Sequence, residues 1–329
     1  MEQQEDTNIK NSASFGLASK VKDYFQLIKF TLSFMVVFST VVSYLLAPNI
    51  RFDLLQVLLL FIGGMLITGS ANTINQILEK DTDALMKRTA TRPLPSGRMT
   101  VTEASIFAVI AGGLGVFIMW WFFNFSSAMV GLFSLFLYGF VYTPLKKVNS
   151  DSVLVGAIPG ALPCLIGWVA ATDSFSAGGW ILFAIQFLWQ FPHFWAIAWV
   201  AHKDYSAAGF KLLPSDKGPT KFTALQTIIY SALMLPVGLL PHFFGMTGSV
   251  SMWILIACNL AMVYVSVLLF INMDIKSARR VMFSSYFYLL VVFLSMYANK
   301  KPSEDVRVQV NDTTMFNSST KNKYIKIIY

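Results

Sequence analysis

The stretch LLQVLLLFIGGMLITGSANTINQILEKDTDALMKRTATRPLPSG, Leu54 to Gly97, decides how the rest of the chain is read. From Leu54 to Leu78 no residue is charged. As a helix rising ~1.5 Å per residue, that run is long enough to cross the ~30 Å of bilayer hydrocarbon. The character then changes: Glu79, Asp81 and Asp83 are followed by Lys87, Arg88 and Arg92. The segment therefore begins in lipid and runs out on the water side with its ionisable groups clustered at one end.

Working outward, the remaining sequence is of the same kind. Of 329 residues, 55% are hydrophobic and 13% charged, and the mean hydropathy is +0.59. Soluble domains carry roughly 25% charged residues. Twenty-nine phenylalanines and long uncharged runs point to lipid as the solvent. The net charge of +8 is explained by basic loops, so no nucleic-acid partner is expected. Cys164 and Cys258 lie in apolar segments and read as small packing residues. The opening MEQQED is acidic where a transit peptide is Arg-rich, and the segment 30–47 lacks a small-x-small cleavage site. A retained first helix in a bacterial cell membrane is the expectation.

Nine apolar windows are expected to span: 30–47, 54–78, 103–123, 126–143, 152–172, 179–201, 222–243, 249–272 and 281–298. Pro48-Asn49, Asn124, Lys146-Lys147, Asp173 and Gly245 punctuate them. The fold class is thus all-α, a polytopic membrane bundle of about nine helices. It would comprise a cytoplasmic segment 1–29, a membrane domain 30–298, and a polar, poorly ordered tail 299–329. Basic residues follow every second helix: Lys87, Arg88 and Arg92, then Lys146 and Lys147, then Lys203 and Lys211, then Arg279 and Arg280. Arg51 stands alone on the other side. This asymmetry places the N-terminus and both polar loops in the cytoplasm. The basic tail does not fit the pattern unless the helix count shifts by one.

Asn75, Glu79 and Asp83 are spaced by four, and each step of four advances a helix by ~400°, so the three side chains share one face. Thr68 and Asn72 continue that polar stripe toward the bilayer, whereas Asp81 points elsewhere. Carboxylates so close to lipid call for a cation. Hard oxygen ligands with room for phosphate suit Mg²⁺. The alternative is a solvated helix end whose acids pair with Lys80, Lys87 and Arg88.

These residues resemble the first aspartate-rich motif of the UbiA-type intramembrane prenyltransferases. The longer string, with Met86, Arg88-Thr89, Arg92-Pro93-Leu94 and Gly97, is similar to the protohaem IX farnesyltransferase branch, or haem O synthases. Many relatives carry Asp where this chain has Glu79. The resemblance implies that Asn75, Glu79 and Asp83 hold Mg²⁺, and that Asn75, Asp81 and Asp83 serve catalysis. Arg88, Arg92, Lys146, Lys203 and Lys211 would bind the diphosphate of farnesyl diphosphate.

Three further stretches carry the resemblance. His202 to Gly218, HKDYSAAGFKLLPSDKG, is similar to this branch's second motif. Ala208 replaces the second acid of the D-x-x-x-D form found in quinone-type relatives, which leaves Asp204 as the metal candidate there. Read alone, this loop serves equally as an ordinary basic inside loop. WQFPHF, Trp189 to Phe194, places Gln190 and His193 at i and i+3 within a membrane segment beside Pro192. A structural histidine and a haem contact, by ligation or through a propionate, both stay open. Tyr142-Thr143-Pro144-Leu145-Lys146-Lys147, followed by Gly156, Gly160, Pro163 and Gly167-Trp168, completes the match over about residues 25 to 298. The family likeness makes Gln190, His193, His202 and Tyr142 the haem-binding candidates. It also implies farnesyl transfer to a vinyl group of haem b, with a haem A synthase or oxidase-assembly protein as partner. Two rivals are a quinone-type prenyltransferase and a secondary transporter. The first conflicts with WQFPHF and Ala208, and the second expects its acids near the midplane.

Overall fold

The computed structural model describes residues 19–215 and 217–302, and every regular element within them is helical. In chain order these are Ser19–Leu27 (α1), Phe30–Leu46 (α2), Leu54–Leu78 (α3), Lys80–Ala84 (α4), Val101–Phe122 (α5) and Phe125–Leu145 (α6). There follow Ser152–Thr172 (α7), Ala177–Val200 (α8), His202–Ala207 (α9), Lys221–Phe243 (α10), Ser249–Asn272 (α11) and Ile275–Ala298 (α12). Eight are long and apolar enough to cross a membrane, and α1 with α2, bent by 53°, make a ninth. The chain is a polytopic membrane protein. Residues 1–18 and most of the tail, 303–329, lie outside the described residues, and with them the expectation of a poorly ordered terminus.

Three windows, 54–78, 152–172 and 249–272, coincide with helices, and most others shift by one or two residues. The last was placed six residues late. Asp274 caps α12 by accepting a hydrogen bond from Ser277 N at 2.7 Å, so the helix starts at Ile275 and takes in Arg279 and Arg280. Helix also begins before residue 30, at Ser19. The expected breaks all mark turns. Asn124 caps α6 by accepting from Ser127 N, and Asn49, Asp173 and Gly245 take positive φ.

The bend between α1 and α2 has a physical cause. Lys29 adopts left-handed backbone angles, φ 49° and ψ 58°, which ends the first helix and frees its last carbonyls. Side chains of α3 satisfy them. Gln76 Nε2 donates to the Gln26 and Leu27 carbonyls, and Asn72 Nδ2 to the Ile28 carbonyl and to Ser33 Oγ. Apolar lipid offers those carbonyls no partner, so Asn72 and Gln76 hold the bend in place.

Helices α7 and α8 form the centre. Buried residues make up 78% and 67% of their most apolar stretches, against 28–39% in the other spans. α2, α3, α5 and α6 pack on the α7 side, α10, α11 and α12 on the α8 side, and α12 closes back on α2. Gly167 allows the closest approach, since a Cβ there would run into the Thr40 carbonyl oxygen on α2. Near its end α6 widens into a π-helical segment, Leu137–Tyr142, just before Pro144, which has no N–H to continue the ladder.

Candidate functional site

The loops between α3 and α5, α6 and α7, and α8 and α10 meet at one end of the bundle. Lys211 N donates to the Lys146 carbonyl at 2.9 Å, and Arg88 Nη2 donates to Tyr205 OH at 3.3 Å. Lys300 lies at the other end, where its ammonium donates to the Leu45 and Ala47 carbonyls. Residue 300 thus sits opposite the polar loops, as an odd number of crossings requires.

Within this end, backbone hydrogen bonds from Glu79 N to Asn75 O and from Asp83 N to Glu79 O carry the one-face register past the junction of α3 and α4. All three side chains are buried, and each meets a cation from a different segment. Lys29 Nζ donates to Asn75 Oδ1 at 2.6 Å from the α1–α2 bend. Lys146 Nζ meets Glu79 Oε1 at 2.7 Å, and Arg92 Nη1 meets Asp83 Oδ2 at 2.6 Å. Asn75 Nδ2 donates to Thr143 Oγ1, whose own proton goes to the Tyr138 carbonyl in the π-helical segment. Lys146 also rests over the Tyr142 ring, 4.7 Å from its centroid, and that ring packs against Gly156.

Buried charge is stable here because each acid has its base. One oxygen breaks the pattern: Asp83 Oδ1 is buried and has no hydrogen-bond partner. Among the described residues, no group of three or more His, Cys, Asp or Glu is gathered to hold a metal alone. Asp81 is exposed on the far side of α4, away from Glu79 and Asp83.

A cavity of about 80 Å³ lies deeper along α3 than the cluster, with Asn72 and Tyr138 among its lining residues together with Leu32, Val36, Ile67 and Leu135. A second, wider cavity of about 330 Å³ lies under the other loop, lined by His202, Tyr205, Lys211 and Ser215. Lys203 and Lys211 are exposed, and Asp204 is half-buried on α9.

Gln190 and His193 go to different neighbours. Gln190 Nε2 donates to the Ala157 carbonyl of α7 and fills the space left by Gly160. His193 faces α12, where its Nδ1 lies 2.8 Å from Ser285 Oγ. Tyr142 lies with the acidic cluster instead, and His202 with the loop cavity.

Two of these residues, Lys29 and Thr143, are not among the site candidates that the sequence offers. The signal for Lys29 is weak: a lysine directly before an apolar run. Its contact with Asn75 depends on a bend that no sequence pattern announces.

A buried acid–base cluster about one helical turn from an apolar cavity, inside a bundle of membrane helices, suits an intramembrane enzyme for a substrate with an anionic head and an apolar tail. The chain belongs to the UbiA prenyltransferase family, whose model matches residues 36–292, and it is a membrane prenyltransferase. It is 44% identical over 284 residues to the protoheme IX farnesyltransferase of Cytophaga hutchinsonii, covering 86% of this chain and 99% of that one. The protein of the same name from Christiangramia forsetii is 43% identical over 280 residues, covering 84% and 92%. Among solved structures, a digeranylgeranylglyceryl phosphate synthase superposes with a TM-score of 0.70 at 21% identity, over 85% of this chain and 98% of its own. A UbiA homologue from Archaeoglobus fulgidus bound to GPP and Mg²⁺ gives 0.63 at 18% identity, over 83% and 99%. Both share the fold.

Proposed function

We propose that this chain transfers the farnesyl group of farnesyl diphosphate to a vinyl group of haem b, giving haem O. The observation that carries the reading is the buried stack of Asn75, Glu79 and Asp83, each held by a cation, with an apolar cavity beginning at Asn72 about one turn deeper on the same helix. An isoprenoid diphosphate matches both parts. The likeness to protoheme IX farnesyltransferases over nearly their whole length supports haem b as the acceptor.

Mg²⁺ fits the donor set. Two carboxylates and an amide are hard oxygen ligands, and the unpartnered Asp83 Oδ1 is a ligand position to spare. Asn75, Glu79 and Asp83 would hold the ion, with Asp204 on the facing loop as a further ligand. When bound, it supplies positive charge that favours departure of the diphosphate. The chain's own cations do the same work. Lys29, Lys146 and Arg92 already point into the stack, and Arg88, Lys203 and Lys211 on the neighbouring loops would add positive charge on the approach, so that a diphosphate entering there exchanges the cations' present partners for phosphate oxygens.

The allylic C–O bond then breaks with its electron pair on the diphosphate. The haem vinyl carbon bonds to the farnesyl carbon, and water adds to the resulting cation beside the porphyrin with loss of a proton. The apolar walls keep bulk water from reaching the farnesyl cation first. Because the basic loops share the site's face, that face and the N-terminus are cytoplasmic in a bacterial cell membrane. The product then passes to a haem A synthase or to an oxidase-assembly protein.

Pigment extraction after expression in cells containing haem b tests the assignment. Conversion of haem b to haem O is the expected result. Consumption of farnesyl diphosphate with a hydroxybenzoate or naphthoate, and none with haem b, would replace the acceptor.

A further inference from the structure

His193 is buried on α8, about two turns from the helix's inner end. A serine hydroxyl has one proton, and Ser285 gives its own to the Met282 carbonyl at 2.6 Å. His193 Nδ1 lies 2.8 Å from the same serine oxygen, and the two contacts of Ser285 Oγ form together only when Nδ1 carries the ring proton. A neutral imidazole with Nδ1 protonated keeps its lone pair on Nε2. That nitrogen makes no hydrogen bond to any described residue and is not among the fully enclosed unpaired atoms.

The ring is also fixed in direction. Trp189 stacks on it, with centroids 4.8 Å apart and 17° between the planes. Trp189 in turn donates its Nε1–H to the Ser285 carbonyl at 2.8 Å, which ties the stack to α12. Tyr286 meets the ring edge-on at 5.0 Å, is 45% exposed, and lies within electrostatic reach of Arg88 and Tyr205. Tyr286 thus links the histidine to the side of the bundle where the loop bearing Arg88 meets α9.

We propose that His193 Nε2 ligates the iron of haem b, and that Ser285 is a positioning residue that fixes its tautomer. The inference rests on haem b being the acceptor, and it separates the two contacts that the sequence leaves open. With its proton committed to Ser285, the ring offers a propionate no donor on its free side, but it offers iron a lone pair. One nitrogen donating to a fixed oxygen and the other free is how metal-ligating histidines are held.

The test is a titration of the purified full chain in detergent with haem b and, separately, with metal-free protoporphyrin IX. Wild type is expected to give the absorption spectrum of nitrogen-ligated iron and to hold haem b roughly tenfold or more tightly than the metal-free ring. His193→Gln should lose both the spectrum and the preference, and His193→Gly should regain the spectrum on addition of imidazole. Ser285→Ala should weaken haem b by roughly tenfold while leaving metal-free porphyrin unchanged. Equal binding of the two porphyrins by wild type overturns the proposal, and needs no variant that folds. An unaltered spectrum in His193→Gln does so as well. Failure of the acceptor assignment looks different, because wild type would then bind neither porphyrin and make no haem O.

Discussion

The ammonium of Lys29 lies 2.6 Å from the side-chain oxygen of Asn75, although the two residues belong to different spans. The left-handed turn at Lys29 makes this contact, and the amides of Asn72 and Gln76 stabilise that turn by binding its freed carbonyls. A polar stripe on α3 thus has two uses. Asn72 in it, with the neighbouring Gln76, braces the bend, and Asn75 receives the lysine that the bend delivers.

If Lys29 stabilises charge on the leaving diphosphate, Lys29→Met should lower the rate of haem O formation by roughly 10²-fold, the scale found for one lost donor at a developing anion. Lys29→Arg should recover part of the loss. Initial rates in membranes, normalised to protein content, decide it. A change confined to the KM for farnesyl diphosphate would instead mark Lys29 as a ground-state contact.

Glu79 and Lys146 form a buried pair, with side chains 6% and 10% exposed. Removing one partner strands the other's charge, at a cost of about 3–5 kcal/mol. Glu79→Gln and Lys146→Met should each lower the unfolding temperature in detergent, and the double variant should regain much of it. Activity should stay lost in all three. Additive losses in stability would show that the two groups do not interact in the folded state.

Much of this architecture was legible in the sequence. Charge-free runs gave the spans, and the four-residue spacing of Asn75, Glu79 and Asp83 put them on one face, because both follow from helix geometry alone. Three things escaped. The start of α12 depended on a cap at Asp274 inside a polar stretch that hydropathy reads as loop. The α1–α2 bend arose from one residue's backbone angles, which leave no trace in composition. The third was the parting of Gln190 and His193, since two side chains about 60° apart on a central helix such as α8 can meet different neighbours.

Helix packing gives a prediction independent of the chemistry. Gly167→Ala forces a methyl against the Thr40 carbonyl, and backbone cannot yield as a flexible side chain would. Its yield of folded protein and unfolding temperature should fall. Gly113→Ala has nothing within 4 Å of the new methyl and should behave as wild type. Equal stability of the two variants would mean that α2 and α7 separate freely.

Asp83 carries the sharpest test. Its Oδ2 is held by Arg92 at 2.6 Å, and its Oδ1 is buried without a partner. Its backbone carbonyl accepts from Thr89 Oγ1, which anchors the following loop. Asp83→Asn keeps the shape and that backbone contact while removing the charge. Arg92 is 18% exposed and reaches water, so the released guanidinium is not stranded and the protein should fold and insert normally. Haem O formation should nevertheless fall by on the order of 10²-fold or more, because one lost charge beside the departing diphosphate costs several kcal/mol of transition-state stabilisation. Haem b binding should survive, since His193 and Ser285 lie on α8 and α12 rather than on α3 or α4. The comparison is made first at saturating Mg²⁺, where a merely weakened site recovers its rate and a lost catalytic charge does not. Near-wild-type turnover at low Mg²⁺ would reduce the acidic stack to a set of structural ion pairs at a helix end, and diphosphate binding would then have to be sought in the cavity lined by His202 and Lys211.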